Sequence, residues 1–141
     1  MEQINIPDLL LADCHHLGHL PRSQVLLNRN AHVPWFILVP DTMLQDVLDL
    51  SEEHRERVIS DCAAVSSYIK RVLGFEKVNF AGLGNVVPEM HLHIIGRHAQ
   101  DPCWPQPVWG NLSDSEPYQP EQLGEMQAGM VKMIGLSPVT R

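Results

Sequence analysis

The chain is short of cysteine, of basic residues and of long apolar runs, and each shortage removes a class of protein. Its three cysteines, Cys14, Cys62 and Cys103, are odd in number and widely spaced, so they form no disulfide framework and a reducing cytoplasm is the expected compartment. Ten basic residues against 17 acidic ones leave a formal net charge of −7, which disfavours a nucleic-acid polymer as partner. No apolar run approaches the roughly 18 residues a membrane span needs, and no basic leader precedes an apolar segment, so neither membrane insertion nor export is expected. Repeats and low-complexity segments are missing as well.

What is present suffices for one compact core: 141 residues, 44% of them hydrophobic. Ile4, Ile6, Leu9, Leu10 and Leu11 suggest a short helix ended by Gly18 and Pro21. Cys14, His15, His16 and His19 are metal-ligating types, but with no second well-spaced ligand pair they read as a solvated helix end and turn, and no metal is expected. Ser23–Asn28 and Trp35–Pro40 are apolar runs joined by a polar connection, the pattern of an antiparallel hairpin. A helix follows: Asp49 stands three residues before Glu52 as a capping signature, Val58, Cys62, Val65, Ile69 and Val72 recur at helical spacing, and Gly74 stops it. Cys62 on that stripe reads as a small core residue rather than a nucleophile.

Two further strands are expected at Lys77–Gly82 and Met90–Arg97, joined by a loop over 83–88 whose glycines and Asn85 permit close approach of backbone to a ligand. The segment from His98 to Gly110 holds three prolines and two tryptophans, a stiff loop that either covers a base or a partner or packs on its own domain. Leu123, Met126, Met130 and Met133 share one face of a C-terminal helix. The expected organisation is a domain over 1–110 and a tail over 111–141 whose short helix packs on the domain or on a dimer partner.

The chemistry concentrates in Glu89-Met90-His91-Leu92-His93. Side chains alternate along a strand, so Glu89, His91 and His93 face one way while Met90, Leu92 and Ile94 face the other. An imidazole attacks through a nitrogen that carries no proton, so its other nitrogen must hold the proton against an acceptor, either a backbone carbonyl or Glu89. Loop N–H groups, the Asn85 amide and a protonated His93 are suitable donors for the oxygens of an anionic substrate. A carboxylate at Glu89 repels such an anion unless it pairs with His93 or Arg97 or is itself protonated.

The run Asn79-Phe80-Ala81-Gly82-Leu83-Gly84-Asn85-Val86-Val87-Pro88, followed by Glu89 to Arg97, resembles the core of the histidine triad (HIT) family. That family's signature is His-x-His-x-His followed by apolar residues and preceded by a loop bearing glycine and an amide, and the resemblance spans about residues 20 to 110. His91 matches the middle histidine and His93 the last, while Glu89 stands at the first position. The resemblance implies an α+β fold, with an antiparallel sheet of about five strands, one long helix and a shorter C-terminal one, and a homodimer. It further implies a hydrolase or transferase of small nucleotide derivatives, dinucleoside polyphosphates or nucleoside phosphoramidates, that needs no cofactor. In that scheme His91 attacks the α-phosphorus, His93 and Glu89 complete the catalytic set, Gly84, Asn85 and Val86 hold phosphate, and Asn28 holds ribose. The family often has a further histidine about where Trp35 stands. Two other classes compete: a nucleotide-binding or regulatory module without turnover, motivated by Glu89, and, last, a metal-dependent barrel of the cupin type, which wants a glutamate absent from residues 94–100.

Overall fold

The computed structural model describes residues 5–140, so Ile4 of the N-terminal apolar set lies outside them. A short helix α1 (Asp8–Asp13) leads into strands β1 (Cys14–Leu20), β2 (Ser23–Asn28) and β3 (Trp35–Pro40). After a single 3-10 turn at Val47–Asp49 come the long helix α2 (Glu52–Arg71), β4 (Lys77–Gly82), β5 (Leu92–Arg97), helix α3 (Pro120–Ile134) and the two-residue β6 (Ser137–Pro138). The strands form one antiparallel sheet in the order β4-β5-β3-β2-β1-β6. The architecture is the expected α+β one, with six strands in place of about five.

Period-two alternation decides which face each residue joins. Val25, Leu27, Phe36, Leu38, Leu92 and Ile94 point to the side covered by α2 and α3, where Val58, Val65, Ile69, Leu123 and Met130 complete the main core. Leu26, Ile37 and Val39 point the other way and pack with Leu10 of α1 and Val87. His91 and His93 lie on this second, thinly covered face. Among the described residues no helix is long and apolar enough to cross a membrane.

Four local expectations are corrected. Residues 14–20 form a strand rather than a helix end and turn. A bulge explains why the pattern hid it: His16 pairs with Leu26 and Gly18 with Val25, so Leu17 is an extra residue that breaks the alternation. The cap of α2 is Ser51, whose Oγ accepts the His54 N–H at 3.2 Å, not Asp49, which ends the preceding 3-10 turn. Val72 and Met133 are exposed rather than part of their helix stripes, while Asp61 and Tyr68 join the buried face of α2. The motif strand begins at Leu92, leaving Met90 and His91 just before it.

The C-terminal segment returns to the same sheet. Gln127 of α3 donates to the carbonyls of Leu17 at 2.7 Å and Val139 at 3.1 Å, and β6 pairs with β1 at Gly18 and His19. A Cβ at Gly18 would collide with the Ser137 carbonyl oxygen, so this close approach of the two strands requires glycine.

Candidate functional site

Met90 and Leu92 are anchored in the main core, which turns His91 and His93 onto the opposite face. Both are buried, at 8% and 5% exposure. The His91 Nδ1–H donates to the carbonyl of Glu89 at 2.8 Å, leaving Nε2 with its lone pair. Of the two acceptors considered for this proton, the backbone takes it. The Glu89 side chain is exposed and is not among the residues lining the cavity beside the histidines. Arg97, one of the partners considered for Glu89, is wholly engaged elsewhere.

His93 is held differently. Trp35 Nε1–H donates to its Nδ1 at 3.0 Å, and because an indole nitrogen can only donate, that Nδ1 carries no proton and Nε2 does. Burial, and then the neighbouring His91, push the His93 pKa down to about 4. The expectation of a protonated His93 is therefore replaced: near neutral pH the ring is an uncharged Nε2–H donor. The two imidazoles lie 5.1 Å apart between centroids, and the Trp109 ring meets His93 at 4.9 Å and Trp35 at 5.6 Å, edge to face in both cases.

Trp109 is placed by the proline-rich loop, and the loop is placed by Arg97. This side chain, 1% exposed, donates from Nε to Asp101 Oδ2 at 2.6 Å and from Nη2 to Asp101 Oδ1 at 3.2 Å, and reaches Asn79 Oδ1 at 2.9 Å and the Gln106 carbonyl at 2.7 Å. Burial raises the Asp101 carboxyl, but its hydrogen bonds from Arg97 and the Cys103 backbone outweigh that and hold it below the usual carboxylate range. Cys103 and Val108 then pack with Val33 and Ile95. The loop thus packs on its own domain and presents Trp109 to the site.

A cavity of about 460 Å³ opens beside the histidines. Leu9, Leu10 and Asp13 of α1 border it, with Asn28, Trp35, Ile37 and Trp109, and the loop residues Gly84, Asn85, Val86 and Val87 close it beside His91 and His93. Gly84 has φ +71, a left-handed turn natural to glycine, and it brings the loop back over the motif. Asn28 serves two purposes, since its Oδ1 accepts the Asn30 N–H at 3.0 Å in the hairpin turn while the residue also borders the cavity. Asp13 escaped the sequence reading. The signal was indirect: Cys14 pairs with Asn28, so the residue before Cys14 is carried to the same rim.

A second cavity of about 390 Å³ lies beyond Leu83, Gly84 and His91, bordered by Gln45, Asp46 and Asp49. His91 borders both. Burial pushes the Cys14 and Cys62 thiols up to about 12, which removes both as nucleophiles. Among the described residues, no group of three or more His, Cys, Asp or Glu is placed to hold a metal ion.

The family model described as HIT domain matches residues 11–100. A solved histidine triad protein from Marinobacter aquaeolei is 36% identical, with a TM-score of 0.84 over 92% of this chain and 95% of its own. Similar structures are a histidine triad protein from Bradyrhizobium japonicum, 31% identical with a TM-score of 0.86 over 92% and 97% of the two chains, and one from Sinorhizobium meliloti, 30% identical with a TM-score of 0.86 over 92% and 96%. No curated protein matches the chain significantly.

Proposed function

The chain belongs to the histidine triad (HIT) domain family, and from that premise we propose that it is a hydrolase or transferase acting at the α-phosphorus of a small nucleotide derivative through a nucleotidyl-His91 intermediate. The observation that carries this reading is the His91 ring: its proton is committed to the Glu89 carbonyl, and its free Nε2 belongs to a buried residue that borders the cavity. That is the preparation a nucleophilic imidazole needs.

In the proposed reaction, Nε2 forms a bond to phosphorus as the bond to the leaving group breaks, and the leaving group departs with that electron pair. The Glu89 carbonyl stabilises the positive imidazole that results. Water then attacks phosphorus, the P–N bond breaks, His91 returns to its neutral form, and one proton passes to solvent. The His93 Nε2–H, the Asn85 amide and the backbone N–H groups of Gly84 and Val86 stabilise the phosphoryl oxygens by preorganised dipoles. Asn28 holds ribose, and the apolar wall of Leu9, Leu10, Ile37 and Val87 receives the base. Glu89 takes part through its main-chain carbonyl. No cofactor is needed for these steps.

The rest of the reading concerns setting. Three free, buried cysteines accord with a reducing cytoplasm. Residues 1–110 carry the site and 111–141 buttress it. Two copies pair along β4, a bare sheet edge whose Phe80 is 51% exposed beside a groove shared with Ile59 and Cys62 of α2.

The test is quenched intact-protein mass spectrometry of wild type and His91→Ala mixed with adenosine and guanosine phosphoramidates and dinucleoside polyphosphates. A nucleotidyl increment on wild type alone is the expected result. Binding without adduct or product from any compound would favour instead the nucleotide-binding module that Glu89 at the first triad position suggests.

A further inference from the structure

We propose that Trp35 sets the leaving-group specificity of this site: by committing His93 to a neutral donor it leaves no acid beside the phosphorus, so the site turns over anhydrides, whose leaving group departs as a phosphate or carboxylate anion, in preference to phosphoramidates of alkylamines. This rests on His91 being the nucleophile.

The argument begins with the two nitrogens of His93. To become an acid the ring would have to take a proton on Nδ1, and that proton would point at the indole N–H that already occupies the position at 3.0 Å. The Trp109 ring packs at right angles on the same imidazole at 4.9 Å and shields it from water, and that burial disfavours the charge. The other ionisable groups bordering the cavity are His91 and Asp13. His91 is occupied on both sides of its ring, by the Glu89 carbonyl at Nδ1 and by the attack at Nε2. Asp13 lies on α1, next to the strand position paired with Asn28, where ribose is assigned. Asp46 and Asp49 face His91 only from the second cavity, and Glu89 is exposed outside the first.

The chemistry of departure then discriminates. Breaking a P–O bond of an anhydride releases an oxyanion that is stable without a proton. Breaking a P–N bond to an alkylamine leaves nitrogen with an electron pair it cannot hold unless a proton arrives, and a positioned acid contributes on the order of 10² to 10⁴ in rate to such a step. Neutral donors are enough for the first reaction and insufficient for the second.

The experiment measures single-turnover nucleotidylation of wild type, Trp35→Phe and Trp35→His with a diadenosine polyphosphate and with an adenosine 5′-phosphoramidate of an alkylamine. It is paired with nitrogen-15 NMR of the His93 imidazole. Wild type is expected to react on the order of 10² faster with the anhydride, with His93 Nδ1 unprotonated at neutral pH. Trp35→Phe keeps a ring but no N–H donor, and His93 should then titrate at higher pH. Trp35→His supplies a ring that can carry a proton, and the ratio of phosphoramidate to anhydride rate should rise at least about tenfold as pH falls through the imidazole range. Equal wild-type rates on the two substrates, or a doubly protonated His93 at neutral pH, would overturn the inference while leaving the nucleophile in place. No adduct with either substrate would overturn both together.

Discussion

His91 and His93 stand two residues apart and hold their protons on opposite nitrogens, because a carbonyl grips one ring and an indole the other. Single contacts of this kind also have a stability signature. Since the folded-state pKa of His93 is lowered from 6.5 to about 4, the unfolded chain binds more protons between those values. The stabilisation from keeping this ring neutral is full above pH 6.5 and is lost as pH falls through 4. The loss amounts to about 3 kcal/mol. Urea titrations across this range should show that slope in wild type, and His93→Gln should flatten it. At this scale the candidate site was legible where the residue type is unusual: two histidines at alternate positions that turn to one side, and an amide and glycines in the loop before them. The charge state of His93 was not, because it depends on Trp35, 58 residues away in sequence and brought close by the pairing of β3 with β5.

Among the elements, those read correctly are the ones whose apolar residues form an unbroken run or a helical repeat. The β2–β3 hairpin is two apolar runs with a polar connection, and α2 carries Val58, Cys62, Val65 and Ile69 at helical spacing, all of them buried, so local pattern and tertiary burial agree. β1 failed that test because its bulge at Leu17 shifts the alternation partway along, and its histidines mask a strand as a polar turn. β6 could not have been found at all. Two residues carry no pattern, and their pairing exists only because Gly18 lets the Ser137 backbone come close. Gly18→Ala should therefore loosen the C-terminal segment, with a loss of about 1–3 kcal/mol in chemical denaturation. Amide exchange should quicken first at Val139, whose N–H donates to the Leu17 carbonyl at 3.1 Å.

For the whole molecule, a net charge of −7 and a cavity bordered by no lysine or arginine fit the proposed reading, in which one small anion is met through local dipoles rather than by a long-range field. The same scale governs assembly. If two copies meet along β4, sedimentation should give a dimer for wild type and a monomer for Phe80→Lys, with circular dichroism unchanged because Phe80 is half exposed. A monomeric wild type would remove the pairing from the reading.

The two ends of the sheet are unequal, and this limits how far association can run. At one end β4 offers six residues of unpaired edge; at the other β6 offers two, one of them Pro138, which has no N–H to give. A growing fibre needs an adhesive surface at both ends of each unit, so that every copy added exposes a fresh one. Among the described residues there is a single such end, and two copies that met there by a two-fold axis would exhaust the supply of edge. Under the proposed pairing, growth would therefore terminate at a closed pair.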